Sequence, residues 1–324
     1  MSRKILALAT TLSSASACML DEAFEDATDL RSESTSSCST WRCGYNAAEI
    51  NGESLSELHL GGLANASGAK IVGFVAPQNV LSYKLTVERD EFVARGPLGT
   101  LSGAGLVGST ILIKLGSGLV VPVAIARREL ISSWAAGAAP VTAYTLVYAD
   151  PFQPLGQSNV CSGTLLDPLT AAVTLIGGET YDAAKKTVNP GKTGWFTLAC
   201  AGAAAAKMKL MNYGPNSDFD GHGAAATVAQ RQSTLKMITA DYCGDGVSYT
   251  ANGTPLLWTN AEGTVTPDPA APVGAFEAAW GSSGAYCLDT PRHPELAATL
   301  HCSLPACTDA HRQAGEWITE NPGA

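Results

Sequence analysis

Four residues near the end of the chain have the types and spacing of a zinc site. They are His301, Cys302, Cys307 and His311. Two thiolates and two imidazoles can complete a tetrahedral zinc site. In an exported chain the two cysteines more readily form a disulfide, since only a short loop separates them. We therefore predict a bridge between Cys302 and Cys307 and keep zinc as the alternative.

A second set of polar side chains follows the alternate-residue pattern of a calcium loop. Asn216, Asp218 and Asp220 precede Gly221, which would permit the sharp turn that such a loop needs. The twelfth position of the loop, where a bidentate glutamate belongs, is Thr227. Because only half of the pattern is present, a polar loop with Asp220 as the N-cap of a helix explains the same residues. Calcium binding by the three residues stays the alternative.

The serines and cysteines lack the spacing of a nucleophilic site. The sequence Gly281-Ser282-Ser283-Gly284 is not the elbow that exposes a catalytic serine, and it predicts a turn. Cys243 would need a free thiol of depressed pKa beside a histidine, whereas an exported protein favours a disulfide there. Asp241 and Asp245 fit a helix end and a turn better than an acid–base pair. We predict no catalytic residue and no cofactor.

The beginning of the chain predicts export. Two basic residues precede an apolar run at 5–12, and small residues lie directly before Cys18. This order predicts a signal peptide over residues 1–17, and the apolar run is too short to span a bilayer. The residues before Cys18 also resemble a bacterial lipobox, with Ala15 where leucine is usual. We predict a lipid on Cys18, with plain secretion as the alternative.

The number of cysteines favours the lipid. The chain has nine, and an odd number would leave one reactive thiol in an oxidising compartment. With Cys18 assigned to the lipid, the disulfide candidates are Cys38, Cys43, Cys161, Cys200, Cys243, Cys287, Cys302 and Cys307. The short spacing between Cys38 and Cys43 predicts a local bridge.

Residues 18–40 have the composition of an acidic, serine-rich tether. Six acidic side chains stand against one arginine, and Ser and Thr fill most of 32–39. Such a stretch has too little apolar surface to offset the entropy lost on ordering. The whole chain has a formal net charge of −9. This balance argues against nucleic-acid binding, which depends on clustered Lys and Arg.

The apolar pattern after the tether predicts an α+β fold in two parts. Over residues 41–200, short runs rich in Val, Ile, Leu, Thr and aromatics alternate with Gly, Pro, Asp or Ser, which predicts an antiparallel β-rich sandwich or barrel-like part. Over residues 201–324 we predict two helices, a hairpin and an irregular segment pinned by disulfides. No Pro- or Ser-rich linker separates the parts, so residues 41–324 are predicted to form one continuous unit.

The stretch 236–246 is where the second predicted helix runs into a cysteine. Arg231 interrupts an apolar stripe that begins after Asp220, a plausible N-cap, and Gly244 stands where a helix commonly ends. Asn252-Gly253 then predicts a tight hairpin. The apolar positions at helical spacing are Ala224, Val228, Leu235, Ile238 and Tyr242.

Segments 41–46, 56–60, 194–202, 240–246 and 277–288 together resemble the ADYC-domain proteins, which are exported, often lipoproteins, and best known from myxobacteria. The motif that names the family is intact as Ala240, Asp241, Tyr242 and Cys243. The resemblance covers nearly all of the chain after the tether. Because that family has no established activity, cofactor or catalytic residue, the resemblance implies no particular reaction.

These observations predict a lipid-anchored, disulfide-stabilised protein of the cell envelope, at the outer membrane or cell surface. We expect it to contact the membrane through its N-terminal lipid and to bind an unknown protein or glycan. The alternatives are an exported hydrolase whose site is assembled from distant residues and a calcium-binding surface protein.

Overall fold

The computed structural model describes residues 47–77, 82–153, 155–161, 171–251 and 254–322. Several predictions concern residues outside this part of the chain: the signal peptide, the lipid on Cys18, the tether, the bridge between Cys38 and Cys43, and the turn at Asn252-Gly253.

The described residues form many short strands and a few helices. The strands are β1 (Glu49–Ile50), β2 (Glu53–Ser54), β3 (Glu57–His59), β4 (Lys70–Val75), β5 (Lys84–Glu88), β6 (Glu91–Gly96), β7 (Gly99–Ser102), β8 (Thr110–Lys114), β9 (Val120–Ile131), β10 (Val141–Ala149), β11 (Gln157–Asn159), β12 (Val173–Gly177), β13 (Glu179–Asp182), β14 (Thr187–Pro190), β15 (Trp195–Cys200), β16 (Leu257–Asn260), β17 (Ala275–Gly281), β18 (Gly284–Leu288) and β19 (Trp317–Asn321). The α-helices are α1 (Ala204–Leu210), α2 (Val228–Ile238), α3 (Pro294–Ala297) and α4 (Asp309–Ala314), and one 3-10 turn covers Gly103–Leu106.

Eight antiparallel strands form one sheet that curves into a half-barrel. Its order is β3-β15-β12-β10-β9-β8-β4, with β11 paired to β10. The first half of β9 shows why the sheet has one apolar face, because Val121, Val123 and Ile125 are buried and alternate with more exposed residues. That face packs on β5–β7, where Phe92 contacts Tyr144 and Phe196.

A smaller antiparallel sheet lies in the C-terminal part. Its order is β16-β19-β17-β18. Three of its strands, β16, β17 and β19, each contribute one fully buried tryptophan, namely Trp258, Trp280 and Trp317. Both α1 and α2 contribute residues to the same apolar core, among them Met208 and Leu235. The predicted fold is confirmed: a mostly antiparallel β half-barrel with few helices and a small disulfide-bearing C-terminal sheet.

Helix α2 is shorter than the sequence predicts at both ends. It begins after Thr227, whose side chain and that of Gln230 form a capping box, so Asp220 is not its N-cap. Val228 is 43 % exposed, and Ala224 lies before the helix, so the predicted stripe is wrong in its first half. Arg231 lies in the buried face rather than interrupting it, for a reason described below.

The predicted hairpin around Asn252-Gly253 is also wrong as far as the described residues show. Residues 247–250 form no strand. Strand β16 pairs instead with β19, from Leu257 opposite Glu320 to Asn260 opposite Trp317. The hairpin of this part is β17–β18, which turns at Ser282-Ser283.

Three disulfides join the described residues. They are Cys161–Cys200, Cys243–Cys302 and Cys287–Cys307. The predicted bridge between Cys302 and Cys307 is therefore wrong, because each of these cysteines pairs with a different element upstream. The bridges interleave, so the short sequence spacing that suggested a local loop does not decide the pairing.

Candidate functional site

The four motif residues 240–243 surround the end of helix α2. Ala240 has φ 48°, the left-handed conformation that ends many helices. The N–H of Ala240 bonds to the carbonyl of Met237 at 3.3 Å, and the N–H of Asp241 bonds to that of Lys236 at 3.0 Å. These two bonds form a Schellman motif with alanine in the position that glycine usually takes.

The Asp241 carboxylate fixes the loop that follows the helix. It forms a buried ion pair with Lys236, whose ammonium also donates to the carbonyls of Lys185 and Gly244 at 3.2 Å each. The N–H of Gly246 donates to Asp241 Oδ2 at 2.8 Å. All of these contacts are made within the protein, so the aspartate stabilises the conformation of this loop.

Tyr242 joins the helix end to the C-terminal sheet. Its ring stacks on Trp280 with centroids 5.0 Å apart, and its hydroxyl donates to Glu277 Oε1 at 2.5 Å. Arg292 donates to the same carboxylate from Nε at 2.7 Å and from a terminal nitrogen at 3.0 Å. Burial and the charge of Glu277 raise the pKa of Tyr242 well above its usual value. The phenol therefore remains a neutral donor.

Cys243 and the glycines after it bring three segments into close contact. Cys243 bonds to Cys302. A Cβ at Gly244 would lie 1.8 Å from the Ser283 carbonyl oxygen, and one at Gly246 would lie 2.4 Å from that of Ala184. Only glycine permits such an approach of backbone to backbone. The motif is thus the point where α2, the β17–β18 turn and the β13–β14 turn meet.

Two further buried ion pairs connect the small sheets β13–β14 and β5–β7 to the helices. Arg231 donates to Glu179 from Nε at 2.9 Å and from a terminal nitrogen at 2.6 Å, which explains why an arginine lies in the buried face of α2. Lys209 in α1 lies 2.9 Å from Asp90, in the turn between β5 and β6. Burial lowers the pKa of Lys209, and the charge of Asp90 opposes that shift.

One titratable cluster lies at the surface. His301 Nε2 contacts the Asp245 carboxylate, and its Nδ1 lies 2.9 Å from the Tyr249 hydroxyl. Because a carboxylate only accepts, Nε2 donates to it, and in the neutral ring Nδ1 accepts from the tyrosine. The side chains of His301 and Asp245 are 54 % and 40 % exposed. Tyr249 is buried, and burial and the charge of Asp245 raise its pKa.

That cluster has the order of a hydroxyl–imidazole–carboxylate relay but not the properties of an active nucleophile. A nucleophilic oxygen needs access to substrate and a base that lowers its effective pKa. Here the hydroxyl belongs to a buried ring whose pKa is raised. What the contacts do is hold residues 245–249 and 301 together beside the Cys243–Cys302 bridge.

The three calcium candidates do not converge on one point. Asn216 donates to Asp90 at 2.7 Å and to the carbonyl of Gly177 at 2.9 Å. Asp218 accepts the N–H of Gly223 at 2.7 Å, and Asp220 accepts two backbone N–H groups that lower its pKa. Within the part of the chain that the structure describes, no three His, Cys, Asp or Glu side chains cluster as metal ligands.

The zinc alternative is wrong for these four ligands, since both thiols are lost to disulfides. Cys302 and Cys307 belong to different bridges. His301 is engaged with Asp245, and His311 lies in the capping box of α4 with Thr308.

None of the helices in the described ranges has the length and apolar composition to cross a bilayer.

A groove lies along β4, an edge strand of the large sheet, and we call it the seam groove. The segment that follows β3 and the start of β5 form its other sides, and its volume is 330 Å³. A Cβ at Gly62 would lie 3.0 Å from the carbonyl oxygen of Ile71, so the segment after β3 approaches β4 closely at one end. The lining residues are Leu60, Gly61, Gly62, Ile71, Val72, Gly73, Phe74, Tyr83, Lys84 and Leu85.

The fold and the motif define a class: a disulfide-stabilised antiparallel β protein whose named residues all hold the structure together. Comparison with family models identifies the ADYC domain over residues 103–294, more than half of the chain. The protein belongs to the ADYC domain family. The match runs through both the half-barrel and the C-terminal part. Comparison with curated proteins finds no match, and comparison with solved structures finds none.

The sequence showed the family motif but not the residues that pair with it. Lys236 is the buried ion-pair partner of Asp241, and the buried pair of Glu277 and Arg292 binds the Tyr242 hydroxyl. A signal existed in principle, since charged residues inside otherwise apolar runs must be paired if they are buried. The seam groove left no such signal, because a sequence does not show which two strands will be the edges.

Proposed function

We propose that this chain is a lipid-anchored, disulfide-stabilised binding protein of the cell envelope, and that the seam groove receives an extended polypeptide. The observation that carries the proposal is the edge strand β4, which lines the groove and, among the described strands, has a hydrogen-bonded neighbour in the sheet on one side only. Three disulfides indicate an oxidising, extracytoplasmic location. The lipid on Cys18 supplies the anchor in this proposal.

An extended polypeptide fits the groove because an edge strand offers free backbone groups. Strand β4 pairs with β8 on one side, and an added strand would use the other side, as in β-augmentation. Leu60, Val72 and Phe74, which are at least partly exposed, offer apolar contacts for side chains of that strand. Lys84 also lines the groove, so the partner we propose carries a carboxylate there.

Site-specific photo-crosslinking in intact cells tests the binding part. A photoreactive residue replaces Val72, which lines the groove and is 47 % exposed, or Val120, which is 46 % exposed and lies outside it. We expect one discrete adduct from position 72. The acidic variant Lys84→Glu should reduce the yield of this adduct, because the partner we propose carries a carboxylate at that point. No adduct at position 72, or equal adducts at both positions, would contradict the groove as the binding surface.

Intact mass tests the anchoring part independently. In a lipoprotein-competent bacterial host, we expect a mature chain that begins at acylated Cys18 and fractionates with membranes. The Cys18→Ser variant should lack the acyl mass and leave the membrane fraction. An unmodified N-terminus on the wild-type chain would make the protein secreted rather than lipid-anchored.

The exported hydrolase is the second candidate. It would have to use the exposed His301–Asp245 pair, because Tyr249 lacks the properties of a nucleophile. An ester substrate of a small phenol, followed by absorbance, tests it with His301→Gln as the matched variant. Turnover that is lost in the variant would support the hydrolase. Equal background rates would leave the three residues with the positioning role described below.

A further inference from the structure

We propose that Cys243–Cys302 is a reversible thiol–disulfide exchange site for a dithiol oxidoreductase of the exported compartment. The three bridges differ in how well a thiolate can reach them. Cys161 and Cys200 are 2 % and 1 % exposed, and Cys287 is 0 % exposed. Cys307, Cys243 and Cys302 are all partly exposed, so Cys243–Cys302 is the bridge of the three in which both cysteines reach the surface.

Attack on a disulfide requires access to one sulfur and departure of the other as a thiolate. A thiolate of the oxidoreductase bonds to one sulfur of Cys243–Cys302, the S–S bond breaks, and the second sulfur leaves and takes a proton. The other thiol of the oxidoreductase then attacks the mixed disulfide and releases the first cysteine. Two electrons and two protons have moved from the dithiol to the protein, and the oxidoreductase holds the disulfide.

Other contacts hold the cysteines near one another after reduction. Cys302 lies inside the loop that Cys287–Cys307 closes. The N–H of Leu288 donates to Pro305 at 3.1 Å, and that of Cys307 donates to Asp289 at 2.8 Å. These bonds hold the segment around Cys302 against strand β18 even when Cys302 is not bonded to Cys243.

The surface cluster provides the second, independent restraint. His301 precedes Cys302 and contacts Asp245, two residues after Cys243. Its other ring nitrogen lies 2.9 Å from the Tyr249 hydroxyl. His301 is therefore a positioning residue, which keeps the separated thiols in the register that re-forms the bridge.

Graded reduction of the purified oxidised full chain tests the proposal. Dithiothreitol and a reduced dithiol protein such as thioredoxin serve as reductants under native conditions, with alkylation quenching and peptide mapping at each time. We expect Cys243 and Cys302 to be alkylated at least tenfold faster than Cys161 and Cys200, while the near-ultraviolet circular dichroism persists. Any other order, or simultaneous reduction of all three bridges, overturns the proposal.

Reoxidation tests the positioning role. After the reductant is exchanged for oxidised glutathione as the oxidant, we expect the wild-type chain to restore Cys243–Cys302, and His301→Gln to restore it about tenfold more slowly. In the variant some Cys302 thiolate should instead attack Cys307 and release Cys287 as a thiol. His222→Gln, an exposed imidazole on another loop, is the control and should match the wild type. Equal reoxidation rates in all three proteins would remove His301 from the proposal.

The proposal rests on the export part of the proposed function, since it needs an oxidised starting state. Its experiments use the purified protein and do not touch the groove or the lipid. Failure of the reduction order therefore leaves the binding proposal intact, and failure of the crosslinking leaves the exchange site intact.

Discussion

Glu277 accepts four hydrogen bonds in a space that solvent does not reach. One comes from the Tyr242 hydroxyl and three come from Arg292. Burial opposes the charge on Arg292, but the carboxylate raises the pKa of the guanidinium above its usual value. A carboxylate so fully used is structural. Tyr242 of the family motif shares this role, and Asp241 has it through Oδ2, whereas Asp241 Oδ1 is buried without a hydrogen-bond partner among the described residues.

Removing one partner of this pair leaves a buried charge without compensation. We expect Glu277→Gln to lower the free energy of unfolding by about 3–5 kcal/mol, measured by chemical denaturation. The matched control is Glu88→Gln, which breaks the exposed pair between Glu88 and Arg95. That control should shift the unfolding midpoint little, because exposed pairs are screened by water. Equal losses in both variants would contradict the structural role.

Glu316 makes the stability of the protein depend on pH. Burial raises the pKa of Glu316, and hydrogen bonds from Tyr213 and Gln230 only partly oppose it. A carboxyl whose folded pKa is raised contributes stability below its unfolded pKa and loses that contribution as the pH rises through the folded pKa. We expect Glu316→Gln to be slightly more stable than the wild type at pH 7, because the neutral amide avoids the desolvation of the ionised carboxylate.

The measurement is the difference in unfolding midpoint between the two proteins from pH 3 to pH 8. The difference should shrink below about pH 4, where the carboxyl group of the wild type and the amide of the variant are both neutral. A constant difference across the range would mean that the effect comes from packing and not from charge.

At the scale of elements, helix α2 shows what the sequence could and could not predict. Its existence was predictable, because the apolar residues Leu235 and Ile238 recur at helical spacing. Its start was not, since both Asp220 and Thr227 are good caps, and the choice depends on the Gln230 partner and the tertiary fit. Arg231 was misread because its partner Glu179 lies 52 residues away.

The capping box makes a prediction at the same scale. Thr227→Ala removes the acceptor for the Gln230 N–H, which lies 3.2 Å away, and should cost about 1 kcal/mol of unfolding free energy. Thr227→Ser keeps the hydroxyl and should retain most of the stability. If the Thr227→Ala and Thr227→Ser variants have the same free energy of unfolding, the helix begins elsewhere.

The strands divide in a similar way. Strands such as β8, β9 and β15 follow apolar runs bounded by turn residues, so pattern alone predicted them. The β13–β14 hairpin was missed, because Glu179, Asp182 and Asn189 make it look like a polar loop. Disulfide pairing was beyond reach for a different reason: local spacing favours Cys302 with Cys307, whereas the fold brings distant cysteines together.

For the whole molecule, the ion pairs that join the small sheets β5–β7 and β13–β14 to helices α1 and α2 decide how it unfolds. Asp90–Lys209 and Glu179–Arg231 each lose a partner if one part separates, which would leave a charge in an apolar setting. We therefore predict that residues 47–322 unfold as one cooperative unit. Calorimetry should show one transition, with a calorimetric enthalpy equal to the van't Hoff enthalpy.

A variant sharpens that test. Glu179→Gln weakens the connection in the folded state, and it should lower the temperature of the single transition. Two resolved transitions in the wild-type chain would show that the half-barrel and the C-terminal part are separate domains.

The interleaved bridges have a consequence for biosynthesis. Of the six cysteines in the described bridges, Cys161 and Cys200 emerge first during translocation and can close the half-barrel bridge at once. Cys302 and Cys307 emerge nearly together, and the shortest loop that oxidation can close is the wrong one. Each molecule that takes this short route must be reshuffled before Cys243 and Cys287 find their partners. The yield of native protein should therefore depend on a disulfide isomerase, and not only on an oxidase, in the compartment that receives it.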